Sequence, residues 1–155
     1  MPARAGLAKA AGETQCKQRC LVVGYDGEEA SSRAVSWAAA QLEPGGRLVI
    51  VHACRALHAP PSPLSSDSER RQLGRALLDE LAMDGDEATL DTLVHSEVAD
   101  ADPVRALTAA ATRCHADGIV VGHEQHSRLH KAIGTVTSEL LAHSPVPVTI
   151  VPTLA

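Results

Sequence analysis

The stretch Cys20-Leu21-Val22-Val23-Gly24-Tyr25-Asp26-Gly27 decides the fold. An apolar run with no polar face, closed by glycine, predicts a strand buried on both sides, as in a parallel sheet covered by helices. Asp26-Gly27 is turn chemistry. Beyond it Ala30, Ala34, Trp37, Ala38 and Leu42 recur at helical spacing, and Pro44-Gly45-Gly46 ends the helix.

The same alternation continues to the end of the chain. Leu48-Val49-Ile50-Val51-His52-Ala53 reads as a second buried strand, and Gly118-Ile119-Val120-Val121-Gly122 as a fourth, shaped like the first. Leu90 to Val94 is a weaker third strand among charges, and Val146 to Val151 a last one. Between them, Glu69 to Ala82 predicts a helix with a stripe of Leu73, Leu77, Leu78 and Leu81. Asp102-Pro103 is an N-cap followed by proline at the first helical position, with Val104, Leu107, Ala111 and Cys114 repeating behind it. Gly134 to His143 is the last helix. Ala59-Pro60-Pro61-Ser62-Pro63-Leu64-Ser65-Ser66 fits only a surface loop. Strands alternating with helices require right-handed crossovers. The expected fold class is therefore α/β, a single open five-stranded parallel sheet with helices on both faces. Residues 1 to 18 lack any period and are expected to be a disordered leader before a domain spanning 19 to 155.

Composition narrows the functions. The chain has 155 residues, one Trp, one Tyr and no Phe, so the core must be aliphatic. A binder of single strands that stacks bases on aromatic platforms is excluded. The formal net charge of −5 offers no basic surface to nucleic acid or an anionic membrane. No apolar run approaches the ~20 residues of a membrane span. The N-terminal stretch has basic residues without an apolar core, so a cytoplasmic protein is expected rather than a secreted one. Cys16, Cys20, Cys54 and Cys114 form no C-x-x-C pair and read as reduced structural thiols, with a redox or metal role as the alternative.

In an open parallel sheet, ligands bind beyond the carboxyl ends of the strands where strand order reverses. If the first and fourth strands are neighbours there, Asp26 and the loop after Gly122 face one crevice. The last helix opens with Gly134-Thr135-Val136-Thr137, whose free N–H groups and hydroxyls suit an anion. Simpler readings stand beside these. Asp26 can serve a turn or cap, Gly24 and Gly122 can serve tight turns, and Gly134-Thr135 can be only a helix start. His123, His126, Arg128, His130 and Lys131 make a polar loop, whose histidines could mimic a metal site without a fixed element beneath them. His52 and His95 read as structural histidines. No nucleophile elbow, P-loop or dinucleotide glycine motif is present, so an enzyme is not expected.

The order of pieces carries a resemblance. Val22 to Gly27, Ile50 to Ala53, the Asp102-Pro103 helix and Pro145-Val146-Pro147-Val148-Thr149-Ile150-Val151 resemble the universal stress protein family, from about Cys20 to Pro152. The resemblance implies a Rossmann-like fold of the adenine-nucleotide α-hydrolase kind and a stress-response function without catalysis. It also implies a homodimer paired through the last strand, along Val146, Val148 and Ile150. In its nucleotide-binding branch the loop reads Gly, two residues, Gly, nine residues, Gly, then Ser or Thr. Gly122 and Gly134-Thr135 match the ends, whereas Gln125 replaces the middle glycine and eight residues precede Gly134. Gly122-His123-Glu124-Gln125 is instead similar to the branch of universal stress protein A, whose members generally do not hold ATP.

Carried over, the resemblance implies Asp26 at ribose or adenine, Val51 backbone at the adenine edge, and Gly24 and Gly122 beneath the sugar and phosphate. Gly134, Thr135, Val136 and Thr137 would meet the phosphates. ATP or another adenine nucleotide is the implied ligand, with magnesium only alongside ATP. The alternative is a nucleotide-free homodimeric interaction module, and a slow ATPase is the third reading.

Overall fold

The sheet is built from β1 (Cys20–Gly24), β2 (Arg47–Ala53), β3 (Leu93–Ala99), β4 (Gly118–His123) and β5 (Val148–Pro152). The helices are α1 (Glu29–Ala40), α2 (Asp67–Met83), α3 (Pro103–Cys114) and α4 (Thr135–His143). A computed structural model of the chain describes residues 18–55, 66–83, 93–124 and 134–153. The strands run in the order β3-β2-β1-β4-β5, and all pairings are parallel. The chain winds outward from β1 to β3, returns through α3, and continues on the other side through β4 to β5. Strand order therefore reverses between β1 and β4.

Each strand supplies both layers of the core because side chains alternate across it. Cys20 and Val22 of β1 join Leu107, Ala110, Ala111, Ile119 and Leu140 on the face covered by α3 and α4. Leu21 and Val23 join Ala34, Ala38, Leu48, Ile50 and Leu78 on the α1 and α2 face. Helix residues in both layers are largely alanine, so the helix axes come close to the sheet. Gly122 shows how close. A Cβ there would stand 2.1 Å from the Ala30 carbonyl oxygen of α1, inside van der Waals contact.

Caps follow the sequence reading in α3. The Asp102 carboxylate accepts from the Arg105 N–H at 3.1 Å, and Pro103 opens the helix. The helix ends at His115 in the left-handed region, φ 51°. At α2, Ser66 and Glu69 form a reciprocal capping box, with N–H to side-chain distances of 3.0 and 3.2 Å.

Two strands and one helix face differ from expectation. The third strand, Leu93–Ala99, runs on past Val94, and residues 90–92 lie outside the described residues. It is an edge strand, where polar residues are tolerated, which is why Ser96 and Glu97 belong to it. The last strand begins at Val148 rather than Val146, because Pro147 offers no N–H to extend the ladder. In α2, Leu78 is buried but Leu73 is 73% exposed, so Leu73 is not part of the apolar stripe. Gly74 takes the inward position instead, and its missing Cβ makes room for His52, whose Cδ2 would lie 2.6 Å away. Residues 1–17 of the expected leader, and 59–65 of the Pro/Ser loop, lie outside the described residues.

Candidate functional site

A cleft of about 470 Å³ opens beyond the carboxyl ends of β1, β2 and β4, at the reversal of strand order. Its floor is apolar, formed by Gly24, Val51, Ala53 and Val121. Pro103 and Leu107 of α3 and Val136 of α4 make one wall, Ala30 and Ser31 of α1 the other. The rim is polar, with Asp26, Glu28, His123, Glu124 and Gly134.

Asp26 is fixed by the turn it makes. Its Oδ1 accepts the Glu28 N–H at 3.0 Å, and its own N–H donates to Ser31 Oγ at 3.3 Å. Ser31 Oγ in turn donates to the Glu28 carbonyl at 2.9 Å. Gly27, at φ +88°, supplies the left-handed residue the turn needs. The turn reading of Asp26 is thus realised, and the carboxylate still stands exposed at the cleft. The Val51 carbonyl accepts the Tyr25 N–H at 2.9 Å, so one acceptor site of that backbone is already occupied. His52 Nδ1 lies 2.9 Å from the Tyr25 carbonyl, which makes it a bonded structural histidine.

The start of α4 faces the cleft. Gly134 is its N-cap without a side-chain hydrogen bond, and no atom of the described residues lies within 4 Å of where its Cβ would be. The first N–H groups of a helix have no partner within it. Val136 and Thr137 line the cleft, whereas Thr135 is exposed and does not. Thr137 is only 5% exposed, and its hydroxyl has no hydrogen-bond partner among the described residues.

The structure therefore brings Gly24, Asp26, Val51, Gly122, Gly134, Val136 and Thr137 to one cleft and leaves Thr135 outside it. Tyr25, Ser31 and Pro103 were not singled out as site residues. Their place depends on how α1 and α3 meet the sheet, which no local motif announces. Gln125 to Ile133, including His126, Arg128, His130 and Lys131, lie outside the described residues. Among the described residues no group of three or more His, Cys, Asp or Glu could hold a metal ion. His95 is 69% exposed by side chain, with its Nε2 3.7 Å from the Glu97 carboxylate.

Away from the cleft, Cys20, Cys54 and Cys114 are free thiols. Burial, and then the Asp100 carboxylate, pushes the Cys54 thiol up from its ordinary value, which keeps it protonated at neutral pH. Its Sγ lies 3.6 Å from the Arg70 carbonyl. No described helix is long and apolar enough to cross a membrane.

An open all-parallel sheet with a crevice at its switch point defines a Rossmann-like α/β fold. The chain belongs to the universal stress protein family, whose model matches residues 19–152. Among solved structures it is similar to the universal stress protein UspA of Lactobacillus plantarum, with 18% identity and a TM-score of 0.65 over 86% of this chain and 97% of that one. A family protein from Arabidopsis thaliana solved with AMP bound gives 18% identity and a TM-score of 0.58, over 88% and 93% of the two chains. A universal stress protein in complex with cAMP gives 27% identity and a TM-score of 0.51, over 86% and 95%. No curated protein matches the chain.

Proposed function

We propose that this chain is a non-enzymatic, homodimeric stress-response protein of the cytoplasm whose cleft takes an adenine nucleotide as a regulatory ligand. The Thr137 hydroxyl carries the reading. It is a polar group without a partner among the described residues, held beside the free N–H groups of α4 and opening on a cleft with an apolar floor. The hydroxyl reaches the cleft, where a ligand oxygen would take the place of water as its partner. The purine would lie on Val51, Ala53 and Leu107, the ribose near Asp26, and a phosphate at Gly134, Val136 and Thr137. A solved relative at 27% identity holds cAMP, which supports the same chemistry here. Magnesium would enter only with ATP.

Titration calorimetry with ATP and magnesium, preceded by mass spectrometry for co-purified nucleotide, tests the reading. Micromolar binding that is lost in Gly134→Leu is the expected result. That variant suits the test because the Leu side chain meets none of the described residues at its Cβ and the φ of −57° is ordinary. No co-purified nucleotide and no heat at millimolar ATP would sink it.

One observation favours a second reading, a nucleotide-free interaction dimer. Gly122 is required by the contact of β4 with Ala30, so the first glycine of the loop motif is explained without any ligand. Under this reading Gly134→Leu leaves biological function intact.

A further inference from the structure

We propose that Ser31 is a positioning residue of the cleft, its hydroxyl holding the Asp26 carboxylate where a bound nucleotide meets it. This rests on the adenine-nucleotide reading above. Ser31 and Thr137 are the buried polar residues among those described, and both line the cleft. A hydrogen-bonded ring ties Ser31 to Asp26. The Asp26 N–H donates to Ser31 Oγ at 3.3 Å, Ser31 Oγ donates to the Glu28 carbonyl at 2.9 Å, and the Glu28 N–H returns to Asp26 Oδ1 at 3.0 Å. The ring fixes both the backbone of Asp26 and one oxygen of its carboxylate. Its anchor is rigid, because Gly122 of β4 lies against the backbone of Ala30 and Ser31. An added Cβ there would stand 2.8 Å from the Ser31 nitrogen. Sheet, helix and turn thus meet at one hydroxyl, the kind of support that holds a binding group in place before its ligand arrives.

Capping the helix does not account for this serine. The Glu28 carbonyl also accepts the Ser32 N–H at 3.1 Å and Ser32 Oγ at 3.2 Å, so α1 starts satisfied without Ser31. Removing the Ser31 hydroxyl instead takes away the acceptor of the Asp26 N–H. The residue before it keeps its bonds, the Tyr25 N–H to Val51 and the Tyr25 carbonyl to His52. The freedom gained is thus centred on Asp26 and Gly27. Fixing one residue's backbone costs the equivalent of roughly five- to thirtyfold in an equilibrium constant. A nucleotide that must order Asp26 as it binds is held more weakly by a factor of that kind. A carboxylate only accepts hydrogen bonds, so the group Asp26 takes from the ligand is an O–H or N–H donor.

The test is calorimetric titration of the full chain with AMP, in the parent, Ser31→Ala, Asp26→Ala, the double variant and Ser32→Ala. The expected result is AMP affinity roughly tenfold lower in Ser31→Ala. In the Asp26→Ala background, where no carboxylate is left to position, the same change should cost under about twofold. Ser32→Ala should stay within about twofold of the parent, because that hydroxyl meets the Glu28 carbonyl and not Asp26. Hydrogen exchange at the Asp26 amide should quicken in Ser31→Ala while the β1 amides stay protected. A Ser31→Ala loss that is equal in both backgrounds, or matched by Ser32→Ala, would overturn the proposal and leave Ser31 a part of the fold alone. So would unchanged AMP affinity, or an Asp26 amide that stays protected without the hydroxyl. AMP failing to bind the parent would remove the nucleotide reading beneath it, a result the parent titration gives before any variant is compared.

Discussion

Two glycines of one motif have opposite physical roles. Gly122 packs against the backbone of Ala30, whereas a Cβ at Gly134 would meet none of the described residues. Gly122→Ala should therefore lower stability by about 2 kcal/mol or more, since backbone cannot yield as a side chain tip does. Gly134→Ala should stay within about 0.5 kcal/mol of the parent. Urea unfolding of both variants checks the pair, and equal losses would contradict the geometry. The sequence marks both positions, because glycine at a strand end and at a helix start is visible in one dimension. It cannot say which is demanded by the fold, since the Ala30 contact joins segments about ninety residues apart in the chain. Thr135 shows the same limit. Its hydroxyl type suits a phosphate, yet the helix turns it out of the cleft while Thr137 turns in.

At the scale of the element, α2 shows what periodicity can and cannot give. Four leucines at helical spacing are legible, but successive residues rotate by about 100°, and the inward direction runs through Gly74 and Leu78. Leu73 lies about a third of a turn from that direction and remains in solvent. Leu78→Ala should cost about 3 kcal/mol and Leu73→Ala under about 0.5 kcal/mol, read as denaturation midpoints. Glycine inside a helix was the available signal for the inward face, because only a close approach such as that of His52 justifies its conformational cost. The carboxyl ends of β2 and β3 are tied to α2 by Asp100. It accepts from Arg55 Nε at 2.8 Å and from Arg71 at 3.2 Å. The hydrogen bond from Arg55 holds its carboxyl below the ordinary carboxylate value of 3.8. A depressed carboxylate contributes stability above its unfolded value and loses it as pH falls through the folded one. Asp100→Asn should therefore lower thermal stability at pH 7 and flatten its decline below about pH 4. The pair is exposed, so the effect should be small and should fade with salt. A parallel decline in both proteins would remove Asp100 from the acid response.

For the whole molecule, the alternation of strands and helices predicts a parallel sheet, while the order β3-β2-β1-β4-β5 decides which strands are left at the edges. The two edges are chemically unlike. β3 carries His95 and Glu97, the latter bonded to Arg113, and charges on an edge oppose strand addition. Residues 144 to 153 carry no charge at all. The Ile119 N–H donates to Pro147 and the Thr153 N–H to His123, so alternate residues of β5 face β4. Val148 and Ile150 then turn their N–H and carbonyl groups outward, while their side chains are half-buried against the core. What β5 offers a second copy is thus mainly backbone, a refinement of the expected apolar edge. Antiparallel pairing of the two β5 edges about a two-fold axis would satisfy these groups. Val148→Pro removes one outward N–H and keeps the ladder to β4, because proline is tolerated on the open side of an edge strand. Sedimentation at micromolar concentration should show a dimer for the parent and a shift toward monomer for the variant, with the circular dichroism spectrum unchanged. A parent that sediments as a monomer would refute pairing through β5. A variant that stays dimeric would move the interface elsewhere, with the exposed side of α1 around Trp37 the first surface to probe.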